Sequence, residues 1–341
     1  MLCYQLFFTA GEYMDENIQK LNERASYYSE QILKLRTEIK NKIIGQDDII
    51  DNMLIALISQ GHILLEGVPG LAKTLMARTM AECLDCDFVR LQFTPDLLPA
   101  DITGTKIYNH NEASFFTLKG PIFSNFILAD EINRAPPKVQ SALLEAMQER
   151  QVSIQGETFK LERPFLVMAT QNPIESEGTY KLPEAQVDRF MFKLLIDYPT
   201  KDDEIEIIER FTQGIQPQIS KILTSEQIIE IQDFNSQIYA DRKIKDYVAQ
   251  VVDATRHPQA YDVDAEGYIE YGASPRASLW LILAAKAHAM LGGRGYVIPE
   301  DIKAVAYNVL RHRILLNYEA EVEEVTSDQI IAQILNKVKV P

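Results

Sequence analysis

Cysteine, tryptophan and histidine are scarce in this chain of 341 residues, which holds three, one and five of them. Cys3, Cys83 and Cys86 are too few and too clustered for a disulfide framework, and they fit a reducing compartment. Cys83 and Cys86 form a CxxC, but no second pair or nearby histidine completes a zinc set, so the pair reads as structural, at a helix end. His62, His110, His257, His288 and His312 are scattered without metal-ligand spacing and read as core or surface residues. Positive charge is also short, with 34 basic residues against 49 acidic ones and a net charge of -15. Phosphate backbones are held mainly by Lys and Arg, so no nucleic-acid partner is expected. No apolar run approaches the roughly 20 residues of a membrane-spanning helix, so no membrane insertion is expected either. The opening MLCYQLFF lacks a basic flank and a cleavage site, which leaves a cytoplasmic protein as the expectation. The stretch before Met14 reads as a frayed tail or as a start set upstream of the native one.

What is present falls into two textures, after a leading helix expected from about Asp15 to Lys40 with Ile32, Leu35 and Ile39 on one face. From His62, short apolar runs alternate with helical stretches: His62–Glu66, Thr74–Leu84, Phe88–Gln92, Phe126–Asp130, Pro136–Glu149, Phe165–Thr170 and Met191–Leu195. Short strands separated by helices predict a parallel sheet covered on both faces. Two β-hairpins are expected as insertions, Thr105–Tyr108 with Ser114–Leu118 and Gln151–Ile154 with Thr158–Leu161, the second turning at Gln155–Gly156. After Pro199 the strands are expected to stop, and Asp203–Phe211, Ser225–Tyr239, Ile244–Thr255, Pro275–Leu291 and Pro299–Arg311 read as helices, two of them opened by proline. Trp280, with Leu279, Leu281 and Leu283, reads as the packed face of one of them. The run Gly292 to Tyr296 is Gly-rich, but it follows a helix and reads as a helix stop. Glu319–Glu324 reads as a solvated acidic face.

The strongest chemical signal is GVPGLAKT, which comprises Gly67, Val68, Pro69, Gly70, Leu71, Ala72, Lys73 and Thr74 and runs into Leu75. It follows a strand and precedes a helix, the order in which backbone N–H groups and a helix N-terminus surround a phosphate chain. Gly67 and Gly70 would keep side chains clear of the anion, Lys73 would reach the phosphates, and the Thr74 hydroxyl would ligate Mg²⁺. Ala72 stands where the P-loop pattern has its second glycine, and the loop is expected to survive if Ala72 keeps helical dihedrals. FILADEINR ends a buried strand in two carboxylates at the carboxyl edge of the sheet. Asp130 is the expected Mg²⁺ ligand and Glu131 the group that polarises the attacking water. FLVMATQNP ends another strand in amides, of which Asn172 is the candidate for orienting that water, with Gln171 as the alternative.

Together GVPGLAKT, ADEINRAPPKVQSALLEAMQE, ATQNPIESEGTYKLPEAQVDRF and GASPRA, in that order, resemble the MoxR family of AAA+ ATPases from about Ile43 to Val325. The resemblance implies a P-loop NTPase fold: an α/β core over 41–199 with inserted hairpins, after a helical segment over 1–40 and before an α-helical lid over 200–341. It makes the first motif Walker A and the second Walker B, Asn172 sensor 1, Arg189 an arginine finger entering a neighbour's site, and Arg276 sensor 2. The alanine at position 72 is the family's own. Ile44, Gly45 and Gln46 resemble the box that contacts adenine, Phe93 to Gly120 the insert in helix 2, and Gln151 to Leu161 the hairpin before sensor 1. ATP and Mg²⁺ are the implied cofactors. The implied partners are further copies in a ring, commonly a hexamer, and a protein client or a von Willebrand factor A domain protein.

Three functions fit these motifs. The first is a chaperone-like ATPase that remodels or matures a protein partner. DNA-acting and metal-chelatase motors share the insert and hairpin, but the acidic charge and the lack of a basic arm oppose a helicase. A nucleotide-gated scaffold is opposed by Glu131, Asn172 and Arg189 occurring together.

Overall fold

The computed structural model describes residues 2–341 apart from 174–177, 215–216 and 266, with side chains from residue 17 onward except that of residue 211. The chain packs into two compact units, Leu35–Ile229 and Met1–Lys34 with Glu230–Pro341.

The elements of the first unit follow in order from helix α1 (Leu2–Lys42), whose C-terminal part belongs here: α2 (Asp47–Ile58), β1 (Ile63–Glu66), α3 (Lys73–Cys83), β2 (Phe88–Gln92), α4 (Pro99–Thr103), β3 (Gly104–Asn109), β4 (Ser114–Lys119), β5 (Phe126–Asp130), α5 (Pro137–Glu149), β6 (Gln151–Ile154), β7 (Glu157–Lys160), β8 (Leu166–Gln171), α6 (Glu184–Val187), β9 (Phe192–Leu195) and α7 (Lys201–Thr212). Five strands form one parallel sheet in the order β2-β5-β8-β1-β9. Leu64, Ile127, Ala129, Val167 and Ala169 pack against Val139, Leu143, Leu144 and Met147 of α5. The intervening Ile63, Leu65, Phe126, Leu128 and Met168 are buried as completely, so both faces are covered. That is why these strands read as continuous apolar runs without alternation. Both expected hairpins are present, β3 with β4 and β6 with β7, and the second turns on Gln155 (φ +44°) and Gly156 (φ +89°). Two consecutive positive φ angles match the right-handed twist of the flanking strands.

The second unit contains the rest of α1, α8 (Ser225–Gln237, its first turn in the other unit), α9 (Arg242–Ala254), β10 (Ile269–Tyr271), α10 (Pro275–Leu291), α11 (Pro299–Leu310), β11 (Leu315–Leu316), α12 (Tyr318–Val322) and α13 (Ser327–Lys337). Strands β10 and β11 pair antiparallel, in a region where the sequence predicts helices alone. They are too short to show a period. Of the residues expected on the packed face of α10, Leu281 is buried and Trp280 and Leu283 are partly buried, but Leu279 faces outward. Leu279 is 65% exposed, and the buried residues of the helix are Ala277, Leu281, Ala284, Ala285, Ala287, Ala289 and Met290, five of them alanine. The small side chains of those alanines allow close packing of the helix. The Gly-rich run does stop α10: Gly293 has φ +70°, and Arg294 turns back to a fully buried Asp301, 2.6 Å away. His288 Nδ1 lies 2.7 Å from the same carboxylate. The Asp301 carboxyl is held below its ordinary value, because hydrogen bonds from Arg294 and His288 outweigh the burial that alone would raise it.

Candidate functional site

Strand β1 ends at the carboxyl edge of the sheet, and the loop of residues 67–72 carries the chain from it into α3. The two glycines of this loop serve different purposes. A Cβ on Gly67 would lie 2.7 Å from the Ile196 carbonyl oxygen, so its bareness admits the segment after β9, while Gly70 takes φ +90° with open space around it. Ala72 does not keep right-handed helical dihedrals: it caps α3 at φ +55°, ψ +19°. The glycine of the general pattern is therefore explained by backbone conformation, and alanine there costs about 1–2 kcal/mol of left-handed strain. Lys73 opens α3 and its Nζ donates to the Gly67 carbonyl at 2.5 Å. Burial lowers the Lys73 ammonium below its ordinary value, and the carboxylates of Asp130, Glu131 and Glu66 oppose that shift.

Asp130 and Glu131 face this loop across a cleft of about 410 Å³, lined by Pro69 to Leu75, Arg90, Asp130, Glu131, Thr170 and Asn172. Parallel register sets the carboxylates there, because β5 lies between β2 and β8, with Gln92 opposite Asp130 and Ala129 opposite Ala169. Glu131 takes φ +56°, which turns the chain sharply at the strand end. Thr170, 2% exposed, donates its hydroxyl to Asp130 Oδ1 at 2.6 Å and accepts from the Glu131 N–H at 2.9 Å, so one buried side chain fixes both acids. On the other side Gln92 Nε2 donates to Glu131 Oε2 at 2.7 Å, and Arg134 lies 3.2 Å from that same oxygen. Arg90 donates to Asp130 Oδ2 through Nε at 2.9 Å and Nη2 at 2.5 Å. In the sequence Gln92 and Thr170 mark strand ends and Arg90 lies within a strand, and only the register makes the three of them site residues.

Of the two amides that end β8, buried Asn172 lines the cleft, while Gln171 pairs in register with Glu66 and is not among the lining residues. Arg189 stands apart from the cleft, in a separate recess with Ser141, Glu145, Gln148, Glu149 and Gln186. Its Nε is buried without a hydrogen-bond partner among the described residues. Ile44, Gly45 and Gln46 join α1 to α2, with Gly45 and Gln46 both at positive φ. Gln46 Nε2 donates to the Asp197 carbonyl at 2.8 Å, and a Cβ on Gly45 would meet Asp203 at 2.9 Å. Arg276 follows the proline that opens α10 in the helical unit, and its N–H donates to Ser274 Oγ at 3.2 Å. The CxxC thiols are pushed up to about 12, chiefly by burial, and so are poor nucleophiles.

Comparison with known proteins agrees with this geometry. A profile of the ATPase family associated with various cellular activities (AAA) matches residues 62–192, and one of the AAA lid domain matches residues 262–334. The chain is 50% identical over 306 residues to Chaperone MoxR1 of Mycobacterium tuberculosis, covering 89% of this chain and 81% of that protein. It is 46% identical over 310 residues to the uncharacterized protein YeaC of Bacillus subtilis, covering 89% and 92%. A crystal structure of a candidate ATPase from Cytophaga hutchinsonii superposes with a TM-score of 0.89 at 50% identity, covering 95% of this chain and 99% of that one. On these likenesses, and on a cleft that joins a P-loop lysine to two strand-end carboxylates, the chain belongs to the MoxR family of AAA+ ATPases.

Proposed function

We propose that this ATPase is Mg²⁺-dependent, assembles head to tail into a hexameric ring in the cytoplasm, and remodels or matures a protein partner. The observation that carries the hydrolytic part is the gathering of Lys73, Thr74, Asp130, Glu131 and Asn172 around one cleft. The Thr74 hydroxyl and the Asp130 carboxylate are hard oxygen donors, the set that suits Mg²⁺ bound with a nucleotide. The ion supplies neutralisation of charge on the phosphates. Lys73 adds a positive charge to the same phosphates, the loop N–H groups bind them, Glu131 takes up a proton from the attacking water, and Asn172 orients that water. Ile44, Gly45 and Gln46 are assigned to adenine, and Arg276 to sensing the nucleotide from the helical unit.

The ring rests on Arg189, which lines none of its own chain's cleft and is assigned to the neighbouring subunit's. A head-to-tail contact of this kind forms a closed ring when its rotation closes. A protein client accords with the chaperone name of the relative at 50% identity, and a partner with a von Willebrand factor A domain is the form proposed.

Phosphate release measured against protein concentration tests this reading. Specific activity is expected to rise with concentration, and Arg189→Ala to lower it by about a thousandfold while ATP binding persists. Glu131→Gln is expected to bind ATP and turn it over at least about a hundredfold more slowly. Activity independent of concentration and indifferent to Arg189 would remove the ring from the proposal, and full activity in Glu131→Gln would remove the catalytic assignment.

A further inference from the structure

Both oxygens of the Asp130 carboxylate are engaged within the chain, and the two engagements differ in kind. Oδ1 accepts from Thr170, a residue 2% exposed in the middle of the sheet. Oδ2 accepts two N–H bonds from Arg90, whose side chain is 50% exposed and stands on β2, the edge strand. The threonine bond is part-buried at the cleft wall and comes from a residue held on a central strand of the sheet. The arginine can swing into solvent, where a guanidinium is readily hydrated, and its remaining tie among the described residues is a 3.1 Å bond from Nη2 to Gln92 Oε1. A guanidinium and a divalent cation are alternative ways of neutralising one carboxylate, and both together on it would repel each other.

We infer that Arg90 competes with Mg²⁺ for the Asp130 carboxylate, so that this side chain sets the cation concentration at which the site loads Mg²⁺ with nucleotide. The inference rests on the reading of Asp130 as a metal ligand. It makes Arg90 a positioning residue: it holds Asp130 in place for the metal and leaves when the metal arrives. Mg²⁺ affinity is thereby weakened, and a subunit in low Mg²⁺ keeps a neutralised carboxylate instead of a bare one.

The test is a titration of the intact chain with MgCl₂ at fixed ionic strength, followed by the fluorescence of the N-methylanthraniloyl derivative of ATP. Complexation of Mg²⁺ by the nucleotide in solution is common to all variants, so a shift between them reports the protein. Arg90→Gln is expected to lower the half-saturating Mg²⁺ concentration by about two- to fivefold, the scale of losing a half-exposed ion pair. Arg90→Lys, which keeps a charge but loses the fork, is expected to fall between that variant and the wild type. Asp130→Asn is expected to raise the midpoint. If Asp130→Asn raises it while Arg90→Gln leaves it unchanged or raises it, the competition is overturned and the metal assignment stands. If Asp130→Asn has no effect, the metal assignment fails and the inference with it.

Discussion

The two inserted hairpins are built from similar residue types and bury them differently. In β6–β7 the apolar residues alternate: Val152 and Ile154 are buried, 6% and 3% exposed, while Gln151 and Ser153 face solvent. In β3–β4 apolar residues occupy consecutive positions, Ile107 and Tyr108 on one strand and Phe115 and Phe116 on the other, so they stand on both faces and all are exposed, Phe115 at 68%. Tyr108 and Phe115 are opposite one another in register, with ring centroids 5.0 Å apart. Such a hairpin is held by its own cross-strand pairs. The other is held by the core beneath it, where Val152 and Ile154 join the cluster formed by α5, β5 and β8.

The largest effect should therefore come from the buried hairpin. Ile154→Ala is expected to cost about 2–4 kcal/mol in urea denaturation, from lost burial and the cavity left behind. Phe115→Ala, which removes a larger side chain, should stay within about 0.5 kcal/mol. Equal costs for the two would mean that β3–β4 is packed after all, and the comparison would break.

His62 sharpens the comparison from below, because it pins the helix that leads into β6. Its ring is fully buried, accepts from the Val167 N–H at 3.1 Å through Nδ1, and lies 3.2 Å from the Met147 carbonyl through Nε2. Nδ1 accepts, so the proton of the neutral ring sits on Nε2 and is donated to Met147. Burial lowers the ring's pKa from 6.5 to about 4, the nearby Arg150 adding to the shift and the Met147 bond opposing it. The unfolded chain takes up the proton first as pH falls, so the contribution of His62 is intact above pH 6.5 and is lost progressively as pH falls toward about 4. Over that window the wild type is expected to lose about 2–3 kcal/mol through this group. His62→Gln should show a shallower dependence by that amount when both are unfolded in urea at a series of pH values. Parallel curves would sink the assignment.

What the sequence makes legible follows the range of the interactions involved. β5 and α10 have the bounds their periodicity predicts, Phe126–Asp130 and Pro275–Leu291, because apolar runs and proline starts are local signals. Helix α2 goes unread because its second half, Met53 to Ile58, is apolar and buried throughout, so the polar positions Asp47, Asp48, Asp51 and Asn52 mark a helical period over its first turns alone. At the site, the lysine and the two acids announce themselves by their neighbours in the chain. Thr170, Arg90 and Gln92 acquire their places only when β2, β5 and β8 come into register, and nothing within a few residues of them carries that information. The left-handed turn at Ala72 is likewise invisible, since alanine in a sequence signals the opposite.

The smallest expected effect lies where the two hairpins touch. Glu157 of β7 lies 3.1 Å from Lys106 Nζ on β3 and accepts from Thr117 Oγ1 on β4 at 3.4 Å, so one carboxylate reaches both strands of the neighbouring hairpin. Lys106 is 19% exposed and Glu157 57%, so the lysine is largely covered while the carboxylate end of the pair stays open to solvent and salt. Holding a long lysine in one geometry offsets much of the Coulomb gain, and Glu157→Gln should cost no more than about 0.5 kcal/mol, vanishing in high salt. A cost above about 1 kcal/mol that persists in high salt would show that β3–β4 is anchored through β7 after all. The outward hairpin would then owe its position to its neighbour instead of to its own Tyr108–Phe115 and Ile107–Phe116 pairs.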